Sequence, residues 1–228
     1  MDKFLELEHL FLSLGYSNNS FKEIINTFPL TNLTYETLYK KVQENYDFFK
    51  NQGYTKSEII RMTIARPEIF SLNIETMKQK INDMIKMGYT NTEVLEITSI
   101  FPKVFSLNIE TINKKMNNMI KLGYTKEEVI KITVEFPSIY GASIKNINQK
   151  IKFYDTIGMH ELAIKDTKQL IQSIHLSYAR YMFYQSIGIN IDMNNYGKLF
   201  MNQNKFKKAY GITNKEVLEK YKYYYNRD

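Results

Sequence analysis

The sequence contains no cysteine and no tryptophan, and only three histidines occur among its 228 residues. Without cysteine the chain can form neither a disulfide nor a thiolate metal site. The histidines, His9, His160 and His175, are scattered and show none of the spacings of metal ligands or of a nucleophile with its base. A glycine-rich phosphate loop is missing as well. We therefore predict no metal site, no cofactor and no enzymatic activity.

Long apolar runs are also missing, since no stretch approaches the roughly 18 residues that cross a bilayer. The first residues carry Asp2, Glu6 and Glu8 among their apolar side chains, whereas secretory and organellar presequences are basic and poor in acids. We expect residues 1–14 to form a capping helix of a cytoplasmic protein that has no membrane contact.

The sequence does contain one segment that occurs in three similar copies. The copies begin at residues 53, 88 and 123, and three of the four prolines keep the same 35-residue spacing: Pro67, Pro102 and Pro137. An exact period of this size is typical of a repeat that cannot bury its apolar face alone, so stacked copies must share one core. Gly15-Tyr16 and Pro29 mark an earlier copy of 38 residues.

This pattern predicts a single domain, residues 1–228, which we expect to be a monomer. After Gly158 the repeat decays, as expected where a terminal segment closes the array. The predicted parts are an N-terminal cap, four repeats, and degenerate repeats with a C-terminal cap: 1–14, then 15–52, 53–87, 88–122 and 123–157, then 158–228.

Each copy carries signals for two helices. A Thr-x-x-Glu capping box predicts the start of the first helix at Thr55, Thr90 and Thr125. This helix must stop before the proline, because a residue that precedes proline leaves the helical region. We expect Ile69, Phe70 and Leu72 to be buried in the following turn. Two asparagines then predict the cap of the second helix, which ends at the glycine of the next copy: Asn73 and Asn108.

Charge is distributed unevenly along the chain. Residues 1–52 contain 5 basic residues (Lys and Arg) and 7 acidic residues (Asp and Glu), a net charge of −2. Residues 53–157 contain 15 basic and 11 acidic residues, a net charge of +4, and residues 158–228 contain 11 and 6, a net charge of +5. The basic character therefore rises toward the C-terminus. A basic surface of this kind is typical of proteins that neutralise nucleic-acid phosphates.

Three lysines occupy one position of the period in successive second helices: Lys80, Lys115 and Lys150. In a stacked array this spacing predicts a ladder of charges along one face, suited to a phosphate backbone. The other interpretation is a solvated helix face on which lysines pair with Glu75 or Glu110. If the ladder binds phosphate, replacing all three lysines by glutamate should abolish binding without unfolding the array.

Arg66 stands where the other copies have phenylalanine, at Phe28, Phe101 and Phe136. It could contact phosphates or bases through its planar fork, or it could bury its stem and hold its charge at the surface. Arg61 and Lys131 share a first-helix position with Glu96. That row is mixed in sign, and both residues remain candidates for nucleic-acid contact.

The C-terminal segment interleaves lysines with aromatic residues. Basic and aromatic side chains together can hold phosphates and stack on bases, although the aromatic residues could equally form the last layer of core. The candidate contacts here are Lys205, Lys207 and Lys208, and the same segment also contains Lys198, Lys215, Lys220 and Lys222, with Phe200, Phe206, Tyr210, Tyr221 and residues 223–225.

Each copy contains, in order, glycine-aromatic, Thr-x-x-Glu, an apolar stripe, Phe-Pro, Ser-x-Asn-x-Glu and a lysine-bearing helix that closes on glycine. In this order of motifs the copy resembles the repeat of the mitochondrial transcription termination factor (mTERF) family. The likeness covers about residues 15–157, and the segment 204–221 is similar to that family's ending. The resemblance implies an all-α, right-bending helical-repeat solenoid of about 35-residue units, each with two α-helices and a short 3₁₀ helix. It also implies a concave basic side that lies along a nucleic acid duplex.

Relatives of this kind act in organelles on DNA or RNA. The Ile-, Asn-, Lys- and Tyr-rich composition instead suggests a prokaryotic member, one that belongs to a mobile genetic element with an AT-rich genome. Pentatricopeptide and tetratricopeptide arrays have similar periods, but these copies lack the Pro-Asp of the first and the small packing residues of the second.

We expect a nucleic-acid-binding protein that favours duplex DNA, with RNA left open, and that regulates transcription or replication. The alternative is a scaffold that binds a protein partner on the same concave surface.

Overall fold

The computed structural model describes residues 3–27 and 34–222, and all regular structure within these ranges is helical. Phe28, Pro29 and residues 223–225, which entered the expectations above, lie outside the described residues. The α-helices are α1 Lys3–Leu14, α2 Asn18–Thr27, α3 Tyr35–Gln52, α4 Lys56–Ala65, α5 Ile74–Lys86, α6 Asn91–Ile100, α7 Ile109–Lys121, α8 Lys126–Glu135, α9 Ile144–Thr156, α10 Leu162–Lys165, α11 Ile174–Ser186, α12 Gln203–Tyr210 and α13 Asn214–Lys220. The 3₁₀ helices are Pro67–Ser71, Pro102–Ser106, Pro137–Gly141, Thr167–Ile171 and Tyr196–Phe200.

The predicted capping boxes are confirmed at the start of α4, α6 and α8. In each box the threonine side chain accepts from the backbone N–H of the glutamate, and the glutamate carboxylate accepts from the threonine N–H. A fourth box, formed by Thr213 and Glu216, opens α13. These reciprocal bonds satisfy backbone donors that the first turn of a helix would otherwise leave free.

The prolines act as predicted. The three first helices end immediately before the residue that precedes each proline, and the proline then opens a 3₁₀ helix. Ile69 and Phe70 are buried as expected, but Leu72 is half-buried, so its predicted burial is wrong. Asn73 caps α5 by accepting from the N–H groups of Glu75 and Thr76.

Each second helix ends at a glycine in the left-handed region, where a side chain would be strained. The φ angles are +101° at Gly53, +107° at Gly88 and +104° at Gly123. Gly15, with φ +96°, ends α1 in the same manner. Helix α1, expected as a cap, therefore terminates like a second helix of the array.

The described chain divides into two compact units, residues 1–114 and 115–228. Within the first unit, aromatic rings link helices to 3₁₀ helices of later repeats: Phe11 of α1 meets Phe70 of Pro67–Ser71 at a centroid distance of 5.8 Å, and Phe49 of α3 meets Phe105 of Pro102–Ser106 at 6.0 Å. Such contacts make the core of one repeat incomplete without the next.

Tyrosine hydroxyls form a second link between neighbouring repeats of the first unit. The Tyr16 and Thr63 hydroxyls lie 2.7 Å apart, and those of Tyr54 and Thr98 lie 2.6 Å apart, both buried. In the second unit the Tyr124 hydroxyl instead donates to the carbonyl of His160 at 2.8 Å. Tyrosine at this position therefore marks a polar bond through the core and not only an aromatic contact.

The segment after Gly158 contains a shortened repeat. Its first helix, α10, has four residues, and α11 begins 30 residues after α9, where the period would give 35. The 3₁₀ helix Thr167–Ile171 keeps its place between them. None of the helices in the described ranges is long and apolar enough to cross a membrane.

Candidate nucleic-acid interface

The three lysines of the predicted ladder lie inside the molecule. Lys80 and Lys115 are each 8% exposed and Lys150 is 0% exposed. Their position lies within the apolar stripe of the second helix, since Lys80 stands between Met77 and Met84, both of which are fully buried. The helical periodicity of the sequence indicates this burial, because residues three and four apart lie on one face of a helix.

Each buried ammonium donates to oxygen atoms at the end of the next 3₁₀ helix. Lys80 Nζ donates to the carbonyl of Leu107. Lys115 Nζ donates to the carbonyls of Tyr140 and Ala142, the latter at 2.6 Å. These carbonyls lie where a short helix leaves its last acceptors without partners of its own.

Lys150 repeats this arrangement with a hydroxyl added. Its Nζ donates to Ser177 Oγ at 2.7 Å and to the Ser173 carbonyl at 3.3 Å. Burial lowers the pKa of Lys150 from its usual 10.5 to about 7 and also lowers the pKa of Lys80. The physical cause is the same for both: an ammonium loses its hydration in the interior.

The row extends by one residue in each direction with a different side chain. Asn45 in α3 is 2% exposed and donates to the Phe70 carbonyl at 3.3 Å. Arg180 in α11 is 1% exposed and donates to the Leu199 carbonyl at 3.0 Å and to Asn214 Oδ1 at 2.7 Å. Five successive second helices thus place a buried donor at one position, which we call the buried donor row: Asn45, Lys80, Lys115, Lys150 and Arg180.

This burial corrects the expected geometry of the ladder. Lys80, Lys115 and Lys150 do not project from a helix face, and their ammonium groups are occupied by backbone carbonyls or a serine hydroxyl. A phosphate could reach them only if the 3₁₀ helix above moved away. We therefore leave these lysines out of the interface that is proposed below.

Arg66 is the residue between α4 and the 3₁₀ helix Pro67–Ser71. Its side chain is 37% exposed, and its Nε lies 3.5 Å from Glu68 Oε2. Its counterparts Phe101 and Phe136 are half-buried and are not part of the fully buried core. The position thus lies at the edge of the core, and the charged head of Arg66 can reach solvent.

Arg61 and Lys131 are both exposed, on α4 and α8 respectively. Arg61 Nη2 donates to Ser99 Oγ at 3.2 Å, so it is partly engaged within the first unit. Arg61 belongs to the first unit and Lys131 to the second, and Glu96 holds the same repeat position on α6.

The lysines of α12 project from the surface. Phe206 is 0% exposed and anchors the helix, and Lys205, Lys207 and Lys208 around it are all exposed. Helix α12 contains no acidic residue. The helix is held by an aromatic cluster in which Phe206 meets Phe183 at 5.5 Å and Tyr210 at 5.2 Å. The tail aromatic residues Phe206 and Tyr210 are therefore packing residues, as one of the two interpretations had it.

The net charge differs more between the two units than between the three sequence segments compared above. Residues 115–228 contain 18 Lys and Arg against 10 Asp and Glu, a net charge of +8, whereas residues 1–114 contain 13 against 14, a net charge of −1. The basic balance of the protein therefore belongs to the second unit.

One histidine has a defined polar environment, in the second unit. The His160 ring stacks on Tyr124 with centroids 4.2 Å apart and an interplanar angle of 13°, and its Nδ1 lies 2.5 Å from Asp155 Oδ1. This contact fixes the start of α10 against the end of α9. Among the described residues, no group of three or more histidine and acidic side chains could hold a metal ion.

Stacked helix pairs of fixed period, joined through 3₁₀ helices and buried donors, define a helical-repeat solenoid. The sequence profile of the mTERF family matches residues 5–163, and the chain belongs to that family. Proteins of this family are generally nucleic-acid-binding factors. No curated protein matches the chain significantly. The matched range ends in α10, so α11, α12 and α13 lie beyond it.

Proposed function

We propose that the protein binds double-stranded nucleic acid, duplex DNA in preference to RNA, through exposed lysines of residues 115–228. The binding would regulate transcription or replication, and the composition of the chain favours a genetic element of its own as the target. The observation that carries the proposal is the concentration of +8 net charge in one unit of a protein whose family generally binds nucleic acids.

Helix α12 of that unit carries three exposed lysines and no acidic residue. Its three lysines surround a buried phenylalanine that fixes the helix, so the charges are held on a rigid support. An ammonium on such a support gains Coulomb energy from a phosphate and releases a condensed counterion, and neither contribution depends on base sequence. Affinity of this origin falls steeply as salt is added.

The test is a salt titration of binding to labelled duplex DNA, duplex RNA and single strands by fluorescence anisotropy. The variant Lys205→Gln with Lys207→Gln and Lys208→Gln removes the three charges of α12. A matched control, Lys22→Gln with Lys40→Gln and Lys56→Gln, removes three exposed lysines of the first unit. Each lysine that neutralises a phosphate contributes about 0.9 to the slope of log affinity against log salt.

We expect the α12 variant to lower that slope by about 2 to 3 and the control variant to lower it by less than about 1. Equal slopes in the two variants would remove α12 from the interface. If wild-type protein binds none of the nucleic acids at low salt, the protein-scaffold alternative takes the place of this proposal, and a pull-down for a protein partner becomes the next experiment.

Arg66, like Arg61, is a candidate contact in the first unit. Its pair with Glu68 is exposed, and exposed ion pairs contribute about 0 to 1 kcal/mol. We expect Arg66→Ala to weaken binding while it changes the free energy of unfolding by less than about 1 kcal/mol. Unchanged affinity, measured by anisotropy beside a urea titration, would assign Arg66 to the surface of the fold alone.

A further inference from the structure

Arg180, the last member of the buried donor row, differs from the lysines that precede it. The hydrogen bonds of Lys80 and Lys115 stay at the end of one 3₁₀ helix. Arg180 instead donates from Nη1 to the Leu199 carbonyl, in the 3₁₀ helix Tyr196–Phe200, and from Nη2 to Asn214 Oδ1, on the first residue of α13. Because its planar fork holds several donors in fixed directions, one side chain of α11 joins the two segments that border α12.

The guanidinium also contacts α12 itself. Its central carbon lies 4.5 Å from the centre of the Phe206 ring, the buried residue of that helix. Asn214, which accepts from Arg180, donates from Nδ2 to Gln203 Oε1 at 3.4 Å, and Gln203 is the first residue of α12. Helix α12 is thus connected to one buried cation through the segment before it, through its first turn and through its centre.

This arrangement is costly for the fold. An arginine keeps its charge in the interior, and Arg180 is 1% exposed. Its hydrogen bonds to Leu199 and Asn214 go to neutral oxygens, and its Nε has no hydrogen-bond partner within the described ranges. A buried charge and an unsatisfied buried donor both destabilise a protein. Departures of this kind are expected where a function requires a fixed geometry.

The aromatic contacts of α12 do not fix its direction. Phe206 meets Phe183 and Tyr210 in a cluster that buries apolar surface, and the hydrophobic effect is not directional. A tilt of α12 about this one buried residue would keep much of that burial. Hydrogen bonds weaken steeply when their angles change, so the bonds of Arg180 and Asn214 resist such a tilt.

We propose that Arg180 is a positioning residue of the nucleic-acid interface. Its guanidinium holds α12 at the angle at which the three exposed lysines of this helix meet phosphates together: Lys205, Lys207 and Lys208. The inference rests on the proposed function and adds to it a residue that does not itself touch the nucleic acid. Arg180 and α12 both lie beyond residues 5–163, the range that the mTERF profile matches.

The experiment is a double-mutant cycle between Arg180 and the lysines of α12. Arg180→Met keeps a long apolar side chain and removes the fork. The α12 variant described above removes the three charges, and a fourth protein carries both changes. For each protein, fluorescence anisotropy gives the slope of log affinity for labelled duplex DNA against log salt, and circular dichroism gives the thermal melting curve.

We expect Arg180→Met to lower the slope by about 1 to 3, because a tilted α12 engages fewer phosphates. In the α12 variant the same replacement should lower the slope no further, since the lysines through which Arg180 acts are already absent. A residue that only stabilises the second unit would give the same change in both backgrounds. This coupling therefore distinguishes positioning from general stabilisation.

Two other variants control for folding. Lys80→Met removes a buried donor of the same row in the first unit, and we expect earlier melting with a slope within about 0.5 of wild type. Asn214→Ala keeps the arginine but removes the acceptor of Nη2 and the bond to Gln203. Because Asn214 is only half-buried, this variant replaces Arg180→Met in the cycle if the latter fails to fold.

Equal slopes for wild type and a folded Arg180→Met or Asn214→Ala variant would overturn this inference and leave the proposed function standing. A loss of the same size with and without the α12 lysines would overturn it as well. Wild-type protein that binds no duplex at low salt would overturn the proposed function and, with it, the role of Arg180 in an interface.

Discussion

At the scale of single residues, the buried donor row joins successive repeats through groups that sequence patterns usually place in solvent. A lysine that loses its hydration raises the free energy of the fold unless its hydrogen bonds compensate. Here the compensation comes from carbonyl oxygens at the ends of 3₁₀ helices and, at Lys150, from a serine hydroxyl as well. The long lysine side chain reaches those carbonyls from the preceding repeat, about 25 to 27 residues earlier in the chain.

Lys150 gives this argument a measurable pH dependence. Its pKa is about 7 in the folded protein, below its usual 10.5, because burial disfavours the ammonium. Between these two values the unfolded chain binds the proton and the folded chain does not, so the free energy of unfolding rises with pH across this window. The penalty for burying the charge is fully present below pH 7 and is gone above pH 10.5.

We predict that Lys150→Met removes this contribution. The difference in unfolding free energy between wild type and variant should shift in favour of wild type by up to about 1.4 kcal/mol per pH unit from pH 7.5 to 9.5. Urea titrations at four pH values would measure it. Lys152→Met, which changes an exposed lysine of the same helix, is the control and should follow wild type. Parallel curves for wild type and Lys150→Met would contradict a buried ammonium that titrates near neutrality.

The tyrosine link of the first unit supports a second prediction. Tyr54→Phe removes a hydroxyl that lies 2.6 Å from that of Thr98, while Thr98 keeps its bond to the Val94 carbonyl at 2.7 Å. A buried hydrogen bond of this kind contributes about 1 kcal/mol. We expect that loss of stability in a urea titration, and we expect almost none for Tyr39→Phe, whose ring is exposed. A loss of the same size in both variants would show that the buried bond carries no stability of its own.

At the scale of helices, most boundaries of the regular repeats could be predicted because the signals are local. Thr-x-x-Glu, proline and glycine each act on the backbone within one turn, so their effect does not depend on the remainder of the fold. Helix α10 could not be predicted in this manner. Its segment lacks the threonine box and the proline, and five residues are missing from the period, so its place depends on packing against α8, α9 and the 3₁₀ helix Thr167–Ile171.

The candidate site was harder to predict than the helices. Exposure of Lys205, Lys207 and Lys208 follows from the single buried phenylalanine of α12, which the amphipathic pattern indicates. The burial of Lys80 depends on a neighbouring 3₁₀ helix that covers it, and sequence spacing alone does not show whether a lysine at the edge of an apolar stripe is covered.

The contribution of one capping box to the stability of its helix can be measured directly. Thr90→Ala removes the side chain that accepts from the Glu93 N–H and should lower the stability by about 1 kcal/mol. Thr92→Ala, at an exposed position of the same first turn, should leave stability within about 0.5 kcal/mol. Chemical denaturation of both variants decides the point, and equal losses would mean that the box at α6 contributes nothing beyond helix propensity.

At the scale of the whole molecule, buried and exposed charges have to be separated before net charge is interpreted. Lys115, Lys150 and Arg180 are buried, and without them the sequence of the second unit still has 15 basic residues against 10 acids. The unit stays basic after this correction. The first unit, at −1, has no such excess.

The same separation reverses the expectation for the triple replacement of Lys80, Lys115 and Lys150 by glutamate. An exposed ladder would lose binding and keep its fold. In the structure each new carboxylate would be buried beside carbonyl oxygens, which repel it, and an uncompensated buried charge costs about 3 to 5 kcal/mol. Three such sites together cost about 9 to 15 kcal/mol, which is as large as the 5 to 15 kcal/mol that stabilises a typical domain.

We therefore predict that the triple variant loses the cooperative thermal transition of wild type, measured by circular dichroism at 222 nm, and that binding is lost only together with the fold. The Lys205→Gln, Lys207→Gln and Lys208→Gln variant provides the comparison, because its exposed lysines can lose their charge with a change of less than about 1 kcal/mol in stability. A triple glutamate variant that melts like wild type and no longer binds duplex DNA would return these lysines to the surface and to the interface. If the triple glutamate variant unfolds while the α12 variant stays folded and binds weakly, the two sets of lysines have different roles. The lysines of the buried donor row then join the repeats, and those of α12 contact the nucleic acid.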